Sequence, residues 1–495
     1  MELQFRKTVV PCLESVLHEV QNTEQTLEIK LPDALPDIGH IVAAWGQPIL
    51  RSKEWRSDSI YLSGGVMVWV LYAPEDGSGE RTIDGWMPFQ LKWDLPPDTR
   101  EGSIRIHALL RNVDARSVSA RKIMARAGVG ALAEAFSPME AEAYAPDAGD
   151  GEVELLRSTY PLRLPREAGE KTFLIDEELP LPEPAPEQLL CFRMEPRLLD
   201  KKVLGAKAVF RGNGNLHLLY RDREGQLHSR DFELPFSQFA ELDREHGSDA
   251  LMDLVTQVTA LELEPMEDRL RLKGGLVAQY LISDKELLEL IEDAYAPGRE
   301  VKLDTRLLEL PTHLESRRET LYPELTIPGG GGEVEDVQFL PDFPVQRRTE
   351  AGVDMELPGM FQVLYRGEDG TLRGSNARWT GRHSVTAHEN TDISALPMTG
   401  ETQAAAGGGQ ITAKAELPLD ITATARQAIP MVTGVEVGQS AAADPARPSL
   451  ILKRAGTARL WDIAKANNTT MEAIRKANDL QQDPAPNQML LIPVP

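Results

Sequence analysis

The sequence predicts a multi-domain, mainly β protein: three tandem β-rich repeat domains followed by a small α+β module of order βααβ. Three observations carry this reading. One hairpin pattern occurs three times at domain-sized spacing. Runs with apolar residues at alternate positions dominate most of the chain. The last 47 residues switch to the periodicity of short helices between two strands.

The hairpin reads VLYAPEDG at 70–77, LLYRDREG at 218–225 and VLYRGEDG at 363–370. Tyr72, Tyr220 and Tyr365 are 148 and 145 residues apart, a domain rather than a solenoid period. Five residues after each tyrosine stands a glycine, Gly77, Gly225 and Gly370, where a tight loop needs positive φ. Before each tyrosine the positions facing one side stay apolar: Val68 and Val70, Leu216 and Leu218, Phe361 and Val363. The intervening positions vary (Trp69, His217, Gln362), as on an outer or interface face. Gly64 and Gly212 share the offset, and WMPF (86–89) and ELPF (233–236) follow at similar distances. The third copy lacks the Pro-Phe pair and carries QAAAGGGQ at 403–410, so we expect it to be degenerate.

Turn-rich and proline-rich stretches place the expected boundaries. Repeat 1 takes 1–145, repeat 2 takes 150–312 and repeat 3 takes 318–437. A linker at 438–448 precedes the module at 449–495. YAPDAGDGEV (144–153) and IPGGGGEVED (327–336) read as breaks, and ELPLPEPAPEQ (178–188) as an extended connection. Two segments read as helical, SPMEAEAY (137–144) and, more strongly, SDKELLELIEDAYAPG (283–298), with Leu287, Leu288 and Ile291 on one stripe. IRIHALL, RLRLKGGLVAQYLI and ITAKAEL read as strands.

In the terminal module SLILKR is a strand, Gly456 a turn, and Thr457 the expected cap of a helix reaching about Asn467. Thr469 and Glu472 read as a capping box for TMEAIRKAN, and QMLLIPV closes the module. The expected core is Leu460, Trp461, Ile463, Ile474 and Ile492. This stretch resembles the LysM domain through Leu460-Trp461-Asp462-Ile463-Ala464, the Asn-Asn-Thr-Thr spacer, Ile474, Asn478 and Leu491-Ile492-Pro493. The resemblance implies binding of N-acetylglucosamine glycans, above all peptidoglycan, in a groove between two loops. Carried over, one loop is Gly456, Thr457, Ala458 and Arg459, and the other is Asn478, Asp479, Leu480 and Gln481. The family's Gly-Asp-Thr/Ser turn lacks its aspartate here, and Asn487 stands where its last loop has glycine.

Composition narrows the function classes. A formal charge of −24 argues against nucleic acid or anionic lipid as the main partner. Residues 449–495 alone carry +2, so an acidic body ends in a mildly basic module. Cys12 and Cys191 form no paired framework, as in a reducing compartment. The N-terminus shows no apolar run of signal-peptide length and no run is long enough for a membrane span, so we expect a cytoplasmic protein. No catalytic, metal or cofactor motif is spelled out, and we expect no enzyme. GGGG at 329–332 lacks the Gly-Lys-Ser/Thr of a phosphate loop, and His383 and His388 beside Glu389 read as a polar surface loop. Carboxylates are abundant, so a glycosidase pair stays open as a rival class.

Taken together, the three Tyr-loop-Gly hairpins, the opening Leu31-Pro32-Asp33 with Leu35-Pro36-Asp37-Ile38, and the terminal LysM-like module resemble the spore-coat morphogenetic proteins of Firmicutes. The nearest type is the clostridial SipL group, built from repeated SPOCS domains plus LysM. The resemblance implies a non-enzymatic scaffold in the mother cell at the forespore surface. It would anchor the coat basement layer, a morphogenetic ATPase, with LysM contributing to that contact. A protein that binds wall or cortex peptidoglycan is the alternative.

Overall fold

The computed structural model describes residues 2–3, 5–146, 153–328, 332–440 and 448–494. A two-residue strand, β1 (Glu2–Leu3), precedes the first unit. Six strands then follow in order: β2 (Phe5–Lys30), β3 (Ile38–Arg56), β4 (Ser59–Pro74), β5 (Arg81–Asp94), β6 (Ser103–Ser119) and β7 (Lys122–Pro146). They form two antiparallel sheets ordered β2-β7-β6 and β3-β4-β5. The alternation in the sequence explains how the two sheets close on one core. On β7 the period-two row Ala125, Ala127, Val129, Ala131, Ala133 and Ala135 is wholly buried, and these small residues leave room for Trp93, Val68 and Ile106.

The second unit repeats this plan. Its strands are β8 (Glu154–Pro180), β9 (Gln188–Leu204), β10 (Lys207–Arg221), β11 (Leu227–Glu241), β12 (Leu251–Pro265) and β13 (Arg269–Tyr295), in sheets β8-β13-β12 and β9-β10-β11. In the third unit the same paths are interrupted. The first is β14 (Arg299–Leu321) then β15 (Glu324–Pro328), and the second β16 (Val334–Pro341) then β17 (Val345–Thr349). Next come β18 (Gly352–Arg366), β19 (Leu372–Thr386), β20 (Thr391–Pro397) then β21 (Thr402–Gly407), and β22 (Gln410–Ala415) then β23 (Leu417–Ser440). β18 pairs with β16, β17 and β19, while β14-β23-β20 and β15-β22-β21 complete the other layer. The third unit thus holds all six strand paths. Its Gly/Ala-rich stretch is the β21–β22 hairpin, turning at Gly408 and Gly409 with φ of 61° and 80°.

The three tyrosines occupy one place in the plan, on β4, β10 and β18, and are 0–7% exposed. Each following glycine takes positive φ (68°, 83° and 75°) and its N–H donates to the carbonyl three residues back, on Pro74, Asp222 and Gly367. The other shared motif has a packing cause. Gly64 pairs with Phe89 and Gly212 with Phe236, and a Cβ on either glycine would come within 2.7 Å of the opposing ring.

Two expectations are corrected. Neither 137–144 nor 283–298 is helical: the first lies in β7, and the second lies in β13 and the turn after it. The run KELLELIEDAY has helix-forming residues, but β13 pairs with β8 over its whole length, with bulges at the Ile282/Ser283 and Ile291/Asp293 steps. Leu290 faces a core shared by all three units, and non-local pairing overrides local propensity. The boundary expected between 312 and 318 falls inside β14, which pairs with β23 from Arg299 to Leu321. Within the expected linker, 438–440 belongs to β23 and 441–447 lies outside the described residues, as do 147–152 and 329–331 of the two expected breaks.

The units are not strung out. Val10 and Cys12, Leu162 and Leu164, and Leu308 and Leu310 form one core where the three long first strands meet. Trp45 and Leu71, Cys191 and Leu219, and Leu364 and Leu372 form a second. β1 pairs with β23, joining the start of the first unit to the end of the third. Trp69, His217 and Gln362 all lie at these junctions; Gln362 donates to the carbonyls of Ala44 and Val113 in the first unit.

His107 on β6 sits where the three units meet. Its Nδ1 accepts from Gln257 Nε2 (3.0 Å) on β12, and its Nε2 donates to the Pro397 carbonyl (3.2 Å) on β20. Burial pushes its pKa down to about 4 from 6.5, so the folded protein keeps it neutral. The unfolded chain binds this proton first, so stability should fall as pH drops from about 6.5 towards 4, by a total of roughly 3 kcal/mol from this group. Urea melts across that range should show the loss, and His107→Gln should flatten it.

Candidate binding site

The terminal module folds as β24 (Leu450–Arg454), α1 (Leu460–Ala466), α2 (Met471–Asn478) and β25 (Met489–Pro493), with β24 and β25 antiparallel. Leu460, Trp461, Ile463, Ile474 and Ile492 are 0–3% exposed and form its core with Ala464 and Leu490. Two caps differ from expectation. Arg459, not Thr457, is the N-cap of α1, and it makes no side-chain cap bond; its guanidinium pairs instead with Asp462 at 3.1 Å. Thr470, not Thr469, caps α2 by accepting from the Ala473 amide at 3.0 Å, which puts Glu472 off the capping-box position. Thr469 is buried, and its carbonyl is used elsewhere.

That use is a seam with the second unit. The Tyr295 hydroxyl, at the end of β13, donates to the Thr469 carbonyl at 2.9 Å. Its ring meets Trp461 edge-on at 4.8 Å. Trp461 Nε1 donates to Asp293 (2.9 Å), and Lys465 Nζ reaches both oxygens of the same carboxylate at 2.7 Å. The Gly298 amide donates to Asn468 Oδ1 at 2.8 Å. Trp461 therefore serves both the module's core and its attachment. The module is docked through α1 and the turn between its helices.

The two loops that the resemblance marked lie at the other ends of these helices, before α1 and after α2. They border one core, with Ala455 beside the first loop and Leu480 in the second packed on it. Thr457, Ala458, Arg459, Asp479 and Gln481 are exposed, and Gly456 turns with φ of 63°. Asn478 is committed to structure: its side-chain amide pairs with both backbone groups of Leu491 (2.6 and 2.7 Å) and donates to Ile474. Asp479 takes the left-handed conformation that ends α2, and the Leu480 amide donates to the Arg475 carbonyl. Asn487 holds a φ of 63°, which explains how it stands in for the family's glycine.

Elsewhere, His383 lies in β19 rather than a loop and pairs with Glu319 at 3.0 Å. Among the described residues no group of three or more His, Cys, Asp or Glu is placed to hold a metal. Cys12 and Cys191 are buried and unbridged, and burial pushes the Cys191 thiol up to about 12. Sequence reasoning missed Asp293 and Tyr295. A signal existed: AYAP occurs at 143–146 and again at 294–297, ending the last long strand of each of the first two units. Asp293→Ala removes the acceptor of Trp461 and Lys465 and should loosen docking by about 1–3 kcal/mol. Hydrogen exchange at the Gly298 amide should then quicken about 5- to 150-fold while the β-sheets stay protected.

Residues 186–266 match the family described as SipL, SPOCS domain, a stretch that runs from β9 through β12. Residues 460–493 match the LysM domain family. No curated protein and no solved structure matches the chain.

Proposed function

We propose that this chain, which carries a SPOCS domain and a terminal LysM domain, is a non-enzymatic adaptor of spore-coat assembly. Both matched families are non-catalytic. In this reading the protein works in the mother cell at the forespore surface. Its LysM module takes part in holding the ATPase of the coat basement layer.

One observation supports this best. The module is fixed to the second unit by α1 and the inter-helix turn, which leaves its two marked loops for a partner. Three units that share two cores give that module a stiff base. A rigid, pre-oriented contact loses less entropy on binding than one on a loose tether. The acidic body and +2 module favour partners with the opposite pattern, chiefly through encounter rate. The peptidoglycan reading keeps one specific support: Thr457, Ala458 and Arg459 stand exposed beside the same core as Asp479 and Gln481.

A fluorescent fusion followed through sporulation tests the placement. Recruitment to the forespore surface is expected for the full chain, and diffuse signal throughout the mother cell contradicts the reading. Sedimentation of the protein with purified sacculi, lost on Arg459→Ala with Gln481→Ala, would favour the glycan alternative.

A further inference from the structure

Lys53 and Lys201 hold the same position in successive units. Lys53 on β3 lies opposite Leu62, and Lys201 on β9 lies opposite Phe210, each across the turn to the next strand. Each stands two residues past a bulge, at Arg51 and at Leu199. The repeat thus supplies an internal comparison.

The two amines meet different surroundings. Lys53 Nζ closes the seam between the first and second units. It pairs with Glu170 on β8 at 2.8 Å and donates to the Ile104 carbonyl and to Gln279 Oε1. Its side chain is 12% exposed. Lys201 faces the seam between the second and third units, where a cavity of about 1170 Å³ opens among all three. Among the described residues Lys201 has no hydrogen bond or ion pair. The facing strand, β14, brings Ser316, Arg317 and Arg318 to the cavity wall where β8 brought a glutamate to the first seam.

Most of the charges around Lys201 are engaged, although among the described residues Asp253 Oδ2 and Arg105 Nη1 are buried without a hydrogen-bond partner. Arg105 is held by Glu134 at 2.6 Å, and Arg318 by Asp420 at 2.6 Å. Asp253 accepts from Ser316 Oγ at 2.8 Å. Across the cavity the Arg348 guanidinium donates to the carbonyls of Thr391, His388 and Glu389. Lys201 is exposed as a residue, yet packing around its amine draws it below its usual value; Asp253 and Asp420 pull it back up, and Arg105 and Arg318 push it down. Beside this cation the wall is apolar. The bulge turns out Leu199, which is 62% exposed, and Leu198, Leu254 and Leu396 line the same space.

We propose that this cavity is a binding site for an organic carboxylate, whose carboxyl group takes on Lys201 the place that Glu170 takes on Lys53, with its apolar body against Leu199, Leu254 and Leu396. An amine without an ion pair, beside an apolar wall and with Arg105 and Arg318 on the same cavity, matches a ligand with one anionic end and one greasy end. The bound carboxylate restores at the second seam the ion pair that the first seam already has. Binding therefore braces the third unit against the second.

The test uses the full chain and titration calorimetry with hexanoate, benzoate and a capped glutamate-containing tetrapeptide, with phosphate as the competing anion. At least one carboxylate should bind, and Lys201→Met should weaken it about 10- to 100-fold. Thermal melts without ligand separate this from a folding defect. Lys53→Met should lower Tm because it strips Glu170 of its partner, whereas Lys201→Met should leave Tm unchanged or raised. Binding by the tetrapeptide alone, dependent on Lys201, also supports the site and assigns its carboxylate to a protein segment. Failure of all three probes, equal binding to Lys201→Met, or equal binding of phosphate overturns the proposal.

Discussion

Asp336→Ala should destabilise the protein by about 3–5 kcal/mol, the cost of stranding a buried charge. Asp336 on β16 belongs to the third unit and is 5% exposed. It receives both terminal nitrogens of Arg193 on β9, at 3.1 and 3.4 Å, and lies 3.0 Å from His217 Nε2 on β10. Burial alone would raise its pKa, but the Arg193 guanidinium and His217 override this and hold the carboxyl well below the usual range. A depressed carboxylate stabilises above the unfolded pKa and loses that contribution as pH falls through the folded value. Alanine leaves Arg193 buried and unpaired between the second and third units. Urea melts at neutral pH should show a midpoint shift with little change in m, and the deficit should shrink in acid. An unchanged midpoint would mean that this pair does not join the units.

Ile463→Arg should be as damaging, but locally. Ile463 is 3% exposed in the module core beside Leu460, Ile474 and Ile492. A guanidinium there would be buried among apolar side chains, and the cost again is about 3–5 kcal/mol by analogy with a broken buried pair. A core built on so few residues cannot absorb that loss, so the module should unfold. Tyr295 and Asp293 would then lose their partners Trp461 and Lys465. Calorimetry should show the module's transition vanish or move far down, while the body of the chain melts near its original temperature. An unmoved transition would place Ile463 outside the core.

What could be read from the sequence follows from how local each cause is. The three hairpins were legible because each depends on one glycine at positive φ beside one buried tyrosine. The βααβ module was legible for the same reason, its helices being short and locally patterned. β13 was not. Its KELLELIEDAY run favours a helix, and only pairing with β8, more than a hundred residues earlier, makes it a strand. The unit junctions were half visible. Trp69, His217 and Gln362 broke the alternation, but nothing local told an outer face from a shared one. Of the marked site residues, Asn478 carries the motif through structure, since its side chain pairs with Leu491 of β25. The docking of Trp461 on Tyr295 joins segments about 170 residues apart, beyond the reach of local pattern.

In the proposed adaptor the LysM module, set on a stiff three-unit base, carries the contact with the coat basement-layer ATPase. Pull-down of that ATPase by the full chain and by a chain ending at residue 448 tests it most directly. Capture by the full chain and its loss on truncation is the expected result. Equal capture by both chains would contradict it.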